Sequence, residues 1–230
     1  MDVGTSPANR RCGSRNRVPT VRLAENSLRI PVERAVSSHI GRRWAVEDVK
    51  DMTDFACHPA AILSDGSYPV FAKLSEATNS LEQFETELAG FRLLSDRSGV
   101  LTPTPIDVVP VQLGSILILK AVQPIDRAPR HWRQIGRTLA QIHRVQWDRF
   151  GLETHGYSGP LYQDNTPMNE WATFYRERRL RPGLRSAIDS GNIPPAVVRQ
   201  VERLISHLPE FSHGASAPPR VQVTPRHSIA

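Results

Sequence analysis

The order in which two apolar patterns follow each other constrains the fold of this chain more than any other feature. Up to about residue 122, short apolar runs bounded by turn residues are typical of β-strands, with one helical pattern among them. Beyond Pro124, apolar residues recur every three or four positions, which is typical of amphipathic helices. Strands followed by helices favour an α+β fold with a small antiparallel sheet in one lobe and helices in another.

Several elements can be predicted from this pattern. Residues 60–74 predict a β-hairpin, because two apolar runs flank the turn pair Asp65-Gly66. Helices are predicted near 80–95, 132–142, 171–180 and 197–208, and a short strand at 115–119. The Pro-rich residues 101–110 exclude a helix there.

The net charge of +6 arises largely in the leading segment, where residues 1–35 hold seven arginines against three acidic residues. Such a leader can bind phosphate backbones nonspecifically. It lacks interleaved aromatic residues, so we expect a disordered extension and no specific nucleic-acid recognition. No apolar run is long enough for a membrane span or a secretory signal, which favours a cytoplasmic protein. Cys12 and Cys57 favour neither a disulfide nor a zinc site.

Lys73 is an unusual residue because the chain has only three lysines against 26 arginines, and this one interrupts an apolar strand. Alternation places Lys73 on one face of the strand with Phe71, away from Val70, Ala72 and Leu74. An ammonium group on that face, pointing into a cleft, could bind phosphates.

Glu87 is the candidate partner of this lysine. At 100° per residue, Glu87 falls within the apolar stripe of the 80–95 helix, and a carboxylate on a buried face requires a cation. Protein kinases anchor nucleotide phosphates with such a strand lysine and helix glutamate. From these residues alone, a lysine at a sheet edge and an ordinary surface glutamate fit equally well.

A longer resemblance favours the kinase interpretation. Residues 70–74 and 84–94 resemble the nucleotide lobe of bacterial fructosamine kinases, which are relatives of aminoglycoside phosphotransferases. Residues 135–144 are similar to the first large-lobe helix of that family, and 149–160 to its substrate-side loop. The strongest match is the Arg-rich string at 171–182. The resemblance implies a protein-kinase-like fold of two lobes.

The resemblance also implies a reaction and its participants. The reaction is transfer of the γ-phosphoryl group of ATP, with Mg²⁺, to a sugar hydroxyl of a ketoamine, either a small molecule or a glycated protein. Lys73 and Glu87 take the phosphate-anchoring roles. The adenine-binding hinge falls on Leu119, Lys120, Ala121 and Val122. We expect His143 to be a core histidine, and the arginines at 176, 178 and 179 to be solvated or paired with acids such as Glu177.

Two departures from the family pattern bear on activity. The stretch 51–58, where relatives carry phosphate-contacting glycines, contains none, which puts nucleotide affinity in doubt. In addition, His213-Gly214 is followed by Ala215 rather than aspartate, and no acidic residue occurs after Glu210. The chain thus lacks the family's catalytic aspartate and metal-binding carboxylates, so no catalytic or metal residue is assigned.

We therefore expect a C-terminally truncated family member that is inactive alone. The predicted segments are a disordered leader at 1–30, a nucleotide-binding lobe at 31–122, an incomplete helical lobe at 123–210, and a disordered tail at 211–230 whose composition is typical of an out-of-frame sequence. The apolar helix faces should be left exposed, so that Trp132, Leu139, Val201 and Leu208 have incomplete partners. The alternative is a non-catalytic binding or regulatory module built on a kinase-like lobe.

Overall fold

A five-stranded antiparallel sheet forms the first half of the protein. The computed structural model describes residues 21–56, 58–159 and 161–212. The strands follow the order β1-β2-β3-β5-β4 across the sheet. Their bounds are β1 Asp48–Asp51, β2 Ala60–Ser64, β3 Val70–Ser75, β4 Pro105–Val111 and β5 Gly114–Lys120. Two helices accompany the sheet, α1 at Asn26–Ile40 and α2 at Ser80–Ser98.

The predicted hairpin is confirmed as β2 and β3. Its strands pair antiparallel, with Ala60 opposite Lys73 and Leu63 opposite Val70. Gly66 has a φ of 80°, which residues with a side chain rarely adopt, and Asp65 accepts a hydrogen bond from the Tyr68 amide at 2.7 Å. The turn therefore fixes the register that decides which face Lys73 occupies.

Helix α1 covers one face of the sheet and corrects the predicted boundary at residue 30. Leu28, Val32 and Val36 repeat every four residues along it and are buried against β2, β3 and β5. Leu23, in the 3₁₀ turn Arg22–Ala24, joins the same core. Residues 21–30 therefore belong to the fold, because they bury apolar side chains. Residues 1–20 of the predicted leader lie outside the described residues.

Helix α2 covers the opposite face. Phe84 and Leu88 pack there against Leu117 and Leu119 of β5, with Phe71 of β3 alongside. The helix ends at Gly99, whose φ of 66° allows its amide to donate to the Ser95 carbonyl at 2.8 Å. Alternate residues of β3 and β5 thus fill two separate apolar layers, one under each helix.

Strand β4 shows why residues 101–110 gave no strand prediction. It carries Pro105 and Pro110, which cannot donate to a ladder, and it lies at the edge of the sheet, where that loss is tolerated. Its pairing with β5 shifts register between Pro105 and Asp107. The exclusion of a helix there is confirmed.

The second half is mostly helical, and its apolar side chains are less buried than those of the first half. It comprises α3 Pro129–His143, a small hairpin of β6 Gly156–Ser158 and β7 Leu161–Gln163, α4 Trp171–Tyr175, a π-helical turn Arg176–Leu180, α5 Arg181–Asp189 and α6 Pro195–His207. Trp132 is 60% exposed, and Leu139 and Val201 are only partly buried, in agreement with the prediction. Leu208 is buried, contrary to prediction, because the turn Leu208–Ser212 packs against α4.

None of the described helices is both long and apolar enough to cross a membrane. Residues 213–230, most of the predicted tail, lie outside the described residues.

Candidate active site

The structure brings Lys73 and Glu87 together on the α2 face of the sheet. The Lys73 Nζ lies 2.8 Å and 2.6 Å from the two carboxylate oxygens of Glu87, so both oxygens accept from one ammonium group. Lys73 is only 8% exposed, whereas the Glu87 side chain is 30% exposed. The predicted pairing is confirmed, and the alternative of an unpartnered lysine at a sheet edge is excluded.

Sheet register and helix packing produce this contact together. Lys73 and Leu117 are direct partners across β3 and β5 and face α2. On α2, Phe84 is fully buried three residues before Glu87, so that Glu87 lies on the same side of the helix one turn further along. The Phe84 ring centroid lies 5.2 Å from the Lys73 Nζ, which adds a cation–π contact to the ion pair.

His58 is a neighbour of this pair that the sequence did not single out. It lies between β1 and β2, and its ring meets the Phe84 ring edge-on with centroids 6.3 Å apart. Burial and the Lys73 charge lower the pKa of His58, although the Glu87 carboxylate opposes this. The imidazole is therefore neutral at pH 7. Its position in the 51–58 loop was the only signal that could have indicated it.

The connection between β1 and β2 is a turn closed by its own hydrogen bonds. The Asp51 carboxylate accepts from the Thr53 amide at 2.9 Å, and the Met52 amide donates to the Ala60 carbonyl at 2.9 Å. The Thr53 hydroxyl and amide lower the pKa of Asp51. This stretch lies between the two leading strands, where the glycine-containing loop of relatives was expected, and it contains no glycine. Cys57 lies outside the described residues.

The four predicted hinge residues lie at the end of β5. Leu119 pairs with Phe71, which places its side chain on the Lys73 face, about 7 Å along the strand. The amides of Lys120 and Ala121 already donate to the Thr104 and Pro69 carbonyls, at 2.9 Å and 3.1 Å. Val122 is 62% exposed, and its amide forms no hydrogen bond within the described chain. Among these four residues, the Val122 amide is thus the donor open to a ligand.

A second polar cluster joins the 156–168 loop to the Arg-rich turn. The Asp164 carboxylate binds Arg178, and Arg179 donates to the Asp164 carbonyl at 2.9 Å and to the Asn165 side chain. A hydrogen bond from the Thr166 hydroxyl, with Arg178 adding to it, lowers the pKa of Asp164, whereas burial lowers the pKa of Arg179. The predicted pairing with acids is confirmed for Arg176, which pairs with Glu177, and for Arg178, which pairs with Asp164. Arg179 instead binds carbonyl and amide oxygens.

His143 corrects a further prediction. It was expected in an apolar core, but it is exposed at the end of α3, because nothing in the described chain covers that side of the helix.

Two observations bear on the family of this chain. The first is a strand lysine held by a helix glutamate beside a sheet, and the second is a match to known proteins over most of the chain. The family model described as fructosamine kinase matches residues 30–221. The chain belongs to the fructosamine kinase family. The predicted family is thereby confirmed.

Individual relatives agree with this assignment. The chain is 27% identical over 186 residues to a protein named a probable ketoamine kinase from Pasteurella multocida, covering 78% of this chain and 64% of that protein. It is 26% identical to another of that name from Synechocystis, covering 80% and 64%. This fructosamine kinase family member therefore spans a little under two thirds of the length of these relatives.

Solved structures confirm the predicted fold class. A crystal structure titled "Putative fructosamine-3-kinase" from Haemophilus somnus superimposes with a TM-score of 0.72 at 19% identity, covering 83% of this chain and 63% of that one. The corresponding structure from Thermobifida fusca gives 0.64 at 27% identity, covering 82% and 64%. An aminoglycoside phosphotransferase gives 0.50 at 12% identity, covering 82% and 61%. The fold is α+β and protein-kinase-like.

The described residues fit the two expected ligands of a fructosamine kinase unequally. The Lys73 ammonium, oriented by Glu87, suits a polyphosphate, and the Val122 amide suits a base edge. By contrast, no group of three or more histidine, cysteine or acidic side chains capable of holding a metal ion occurs in the described parts of the chain.

Proposed function

We propose that this chain supplies the nucleotide-anchoring part of an ATP-dependent ketoamine phosphotransferase. The observation that carries the proposal is the Lys73–Glu87 ion pair, held between β3 and α2 in a member of the fructosamine kinase family. The acceptor class, a ketoamine, comes from the names of the relatives. In this proposal the acceptor is a small ketoamine or a glycated protein.

In this proposal, Lys73 binds the α- and β-phosphates of ATP. Glu87 keeps the ammonium in place in the absence of nucleotide, because both carboxylate oxygens accept from it. Val122 presents the open backbone donor for the adenine edge, and Leu119 provides apolar surface on the same sheet face as Lys73. The loop at 51–58, which lacks glycine, limits how closely the backbone approaches the phosphates, so affinity is weak.

We further propose that the 230-residue chain alone does not transfer phosphate. Phosphoryl transfer requires a carboxylate that orients the acceptor hydroxyl and carboxylates that hold Mg²⁺. Ala215 follows His213-Gly214, and no acidic residue follows Glu210, so this chain's own residues do not supply the family's groups for that step.

A second candidate function is that of a non-catalytic binding module. Apolar side chains exposed on the second half favour it, because such surface on a folded protein indicates a binding partner. On the helices they include Trp132 at 60%, Ile135 at 49% and Leu204 at 46% exposed.

Calorimetric titration with the ATP analogue AMP-PNP and Mg²⁺ tests the nucleotide role. We expect measurable binding by the unmodified chain and a loss of about tenfold or more in Lys73→Met, equivalent to about 1.4 kcal/mol. Lys50→Met is the matched control, because Lys50 is an exposed lysine on β1. The affinity of this variant for AMP-PNP should equal that of the unmodified chain. Equal affinity in Lys73→Met, or no binding by the unmodified chain, would contradict the proposal.

A phosphotransfer assay with ATP, Mg²⁺ and a synthetic ketoamine tests the inactivity. No phosphorylated product should form, and turnover by the purified chain would refute this part. A stoichiometric complex with a protein partner, formed without any nucleotide binding, would favour the binding module instead.

A further inference from the structure

Helix α2 is held at both ends, and at each end the second half of the chain contributes to the contact. At its C-terminal end, the Gln141 side-chain amide donates to the Ser98 carbonyl, one of the last four carbonyls of the helix, which have no partner within it. The Arg97 guanidinium lies 4.5 Å from the centre of the Trp147 ring. Leu93, Leu94, Ile142 and Val145 line an apolar crevice beside these contacts.

The N-terminal end of α2 is held by the β6 hairpin and by the sheet. The Tyr157 hydroxyl faces Asn79 and Glu82, and its burial raises the pKa of Tyr157. The Ser80 hydroxyl donates to the Ser115 hydroxyl of β5 at 3.2 Å. Glu87 lies between the two anchored ends. Among the described acidic residues, it is the one that forms an ion pair with Lys73.

We infer that Gln141 is a positioning residue that fixes the C-terminal half of α2, and thereby holds Glu87 against Lys73. The nucleotide-anchoring pair is then set in part from the second half of the chain, through α3, before any ligand binds. This inference rests on the proposed function in one respect only, namely that nucleotide affinity depends on the contact between Gln141 and Ser98. The order of α2 itself can be measured without nucleotide.

The chemistry of the contact distinguishes a positioning role from simple packing. The Ser98 carbonyl lies at the negative end of the α2 dipole, so it requires a donor and is repelled by a carboxylate. Gln141→Lys keeps a donor, Gln141→Ala removes it, and Gln141→Glu replaces it with a negative charge of almost the same volume. If Gln141 acted by packing alone, glutamate at this position would hold α2 almost as well as glutamine. The inference instead predicts that α2 is most ordered with Gln or Lys at position 141, less ordered with Ala and least ordered with Glu.

Hydrogen exchange by mass spectrometry on the full chain, without nucleotide, is the decisive experiment. We expect α2 amides around Glu87 to exchange about threefold faster in Gln141→Ala and about tenfold faster in Gln141→Glu, with near-normal exchange in Gln141→Lys. Strand β5 serves as the internal reference and should not change. Gln134→Glu makes the same chemical change at an exposed position of α3 and should leave α2 unaffected.

AMP-PNP affinity in the same variants should fall in the same order. The inference is overturned if Gln141→Glu leaves α2 exchange unchanged, if Gln141→Lys behaves like Gln141→Ala, or if β5 accelerates as much as α2. Ordered exchange effects in a chain that does not bind AMP-PNP would keep the positioning role and remove the nucleotide role. The two proposals therefore fail separately.

Discussion

The two halves of this protein bury their apolar residues to very different extents, and tryptophan shows this most directly. Trp44 is 2% exposed under α1, and its indole donates to the Tyr68 carbonyl at 2.9 Å. Trp132 on α3 is 60% exposed. The sheet of the first half is covered on both faces by its own two helices, whereas α3 and α6 carry apolar side chains that are about half exposed or more. Stability therefore resides in the half that carries the ion pair.

The largest expected effect follows from this contrast. Trp44→Ala should lower the free energy of unfolding by about 3–5 kcal/mol, because it leaves a cavity and an unpaired carbonyl. Trp132→Ala should cost less than about 1 kcal/mol, because its side chain is largely in water. Urea denaturation followed by circular dichroism measures both. Similar losses in the two variants would show that the halves are equally well packed.

A smaller effect is expected from two glutamates, one in each half. Glu87→Gln should cost about 1–3 kcal/mol, because it leaves the buried Lys73 ammonium without a counterion. Glu177→Gln should cost less than about 1 kcal/mol, because its partners Arg176 and Arg181 remain in contact with water. The same urea titrations apply, and a larger loss in Glu177→Gln would reverse the comparison.

The smallest effect concerns the cluster around Asp164 and its dependence on pH. The folded protein lowers the pKa of Asp164 below its ordinary 3.8, so this carboxylate stabilises the fold above that pH. The contribution is lost as the pH falls through the lower folded value. Asp164→Asn should cost about 0.5–1 kcal/mol at pH 7 and progressively less below pH 3.8. A difference that grows on acidification would contradict this assignment.

The sequence predicted the elements that rest on strict periodicity. Alternation around Lys73, and the 100° per residue that puts Glu87 within the apolar stripe of Phe84, made the ion pair a candidate, because both residues lie within regular elements. The family resemblance was needed to favour it over a sheet-edge lysine and a surface glutamate. Helix α1 was missed because Pro31 and a polar composition obscured the stripe of Leu28, Val32 and Val36. Strand β4 was missed because its prolines are compatible only with an edge position, which requires the complete sheet to recognise.

The predictions that failed depend on contacts between distant segments. His143 was placed in a core by the apolar pattern of α3, but periodicity shows which face is apolar and not whether anything covers it. Leu208 begins the turn Leu208–Ser212, which packs against α4, and so the prediction failed in the opposite direction. The contact from Gln141 to Ser98 spans 43 residues and leaves no periodic signal in the sequence.

The most direct test of the central claim uses the small number of lysines in the chain. With only Lys50, Lys73 and Lys120 present, amine acylation can be followed at each site by mass spectrometry. The account predicts that AMP-PNP with Mg²⁺ slows acylation of Lys73, while the exposed Lys50 on β1 reacts at an unchanged rate. Equal acylation of Lys73 with and without saturating nucleotide would contradict the claim that this pair anchors its phosphates.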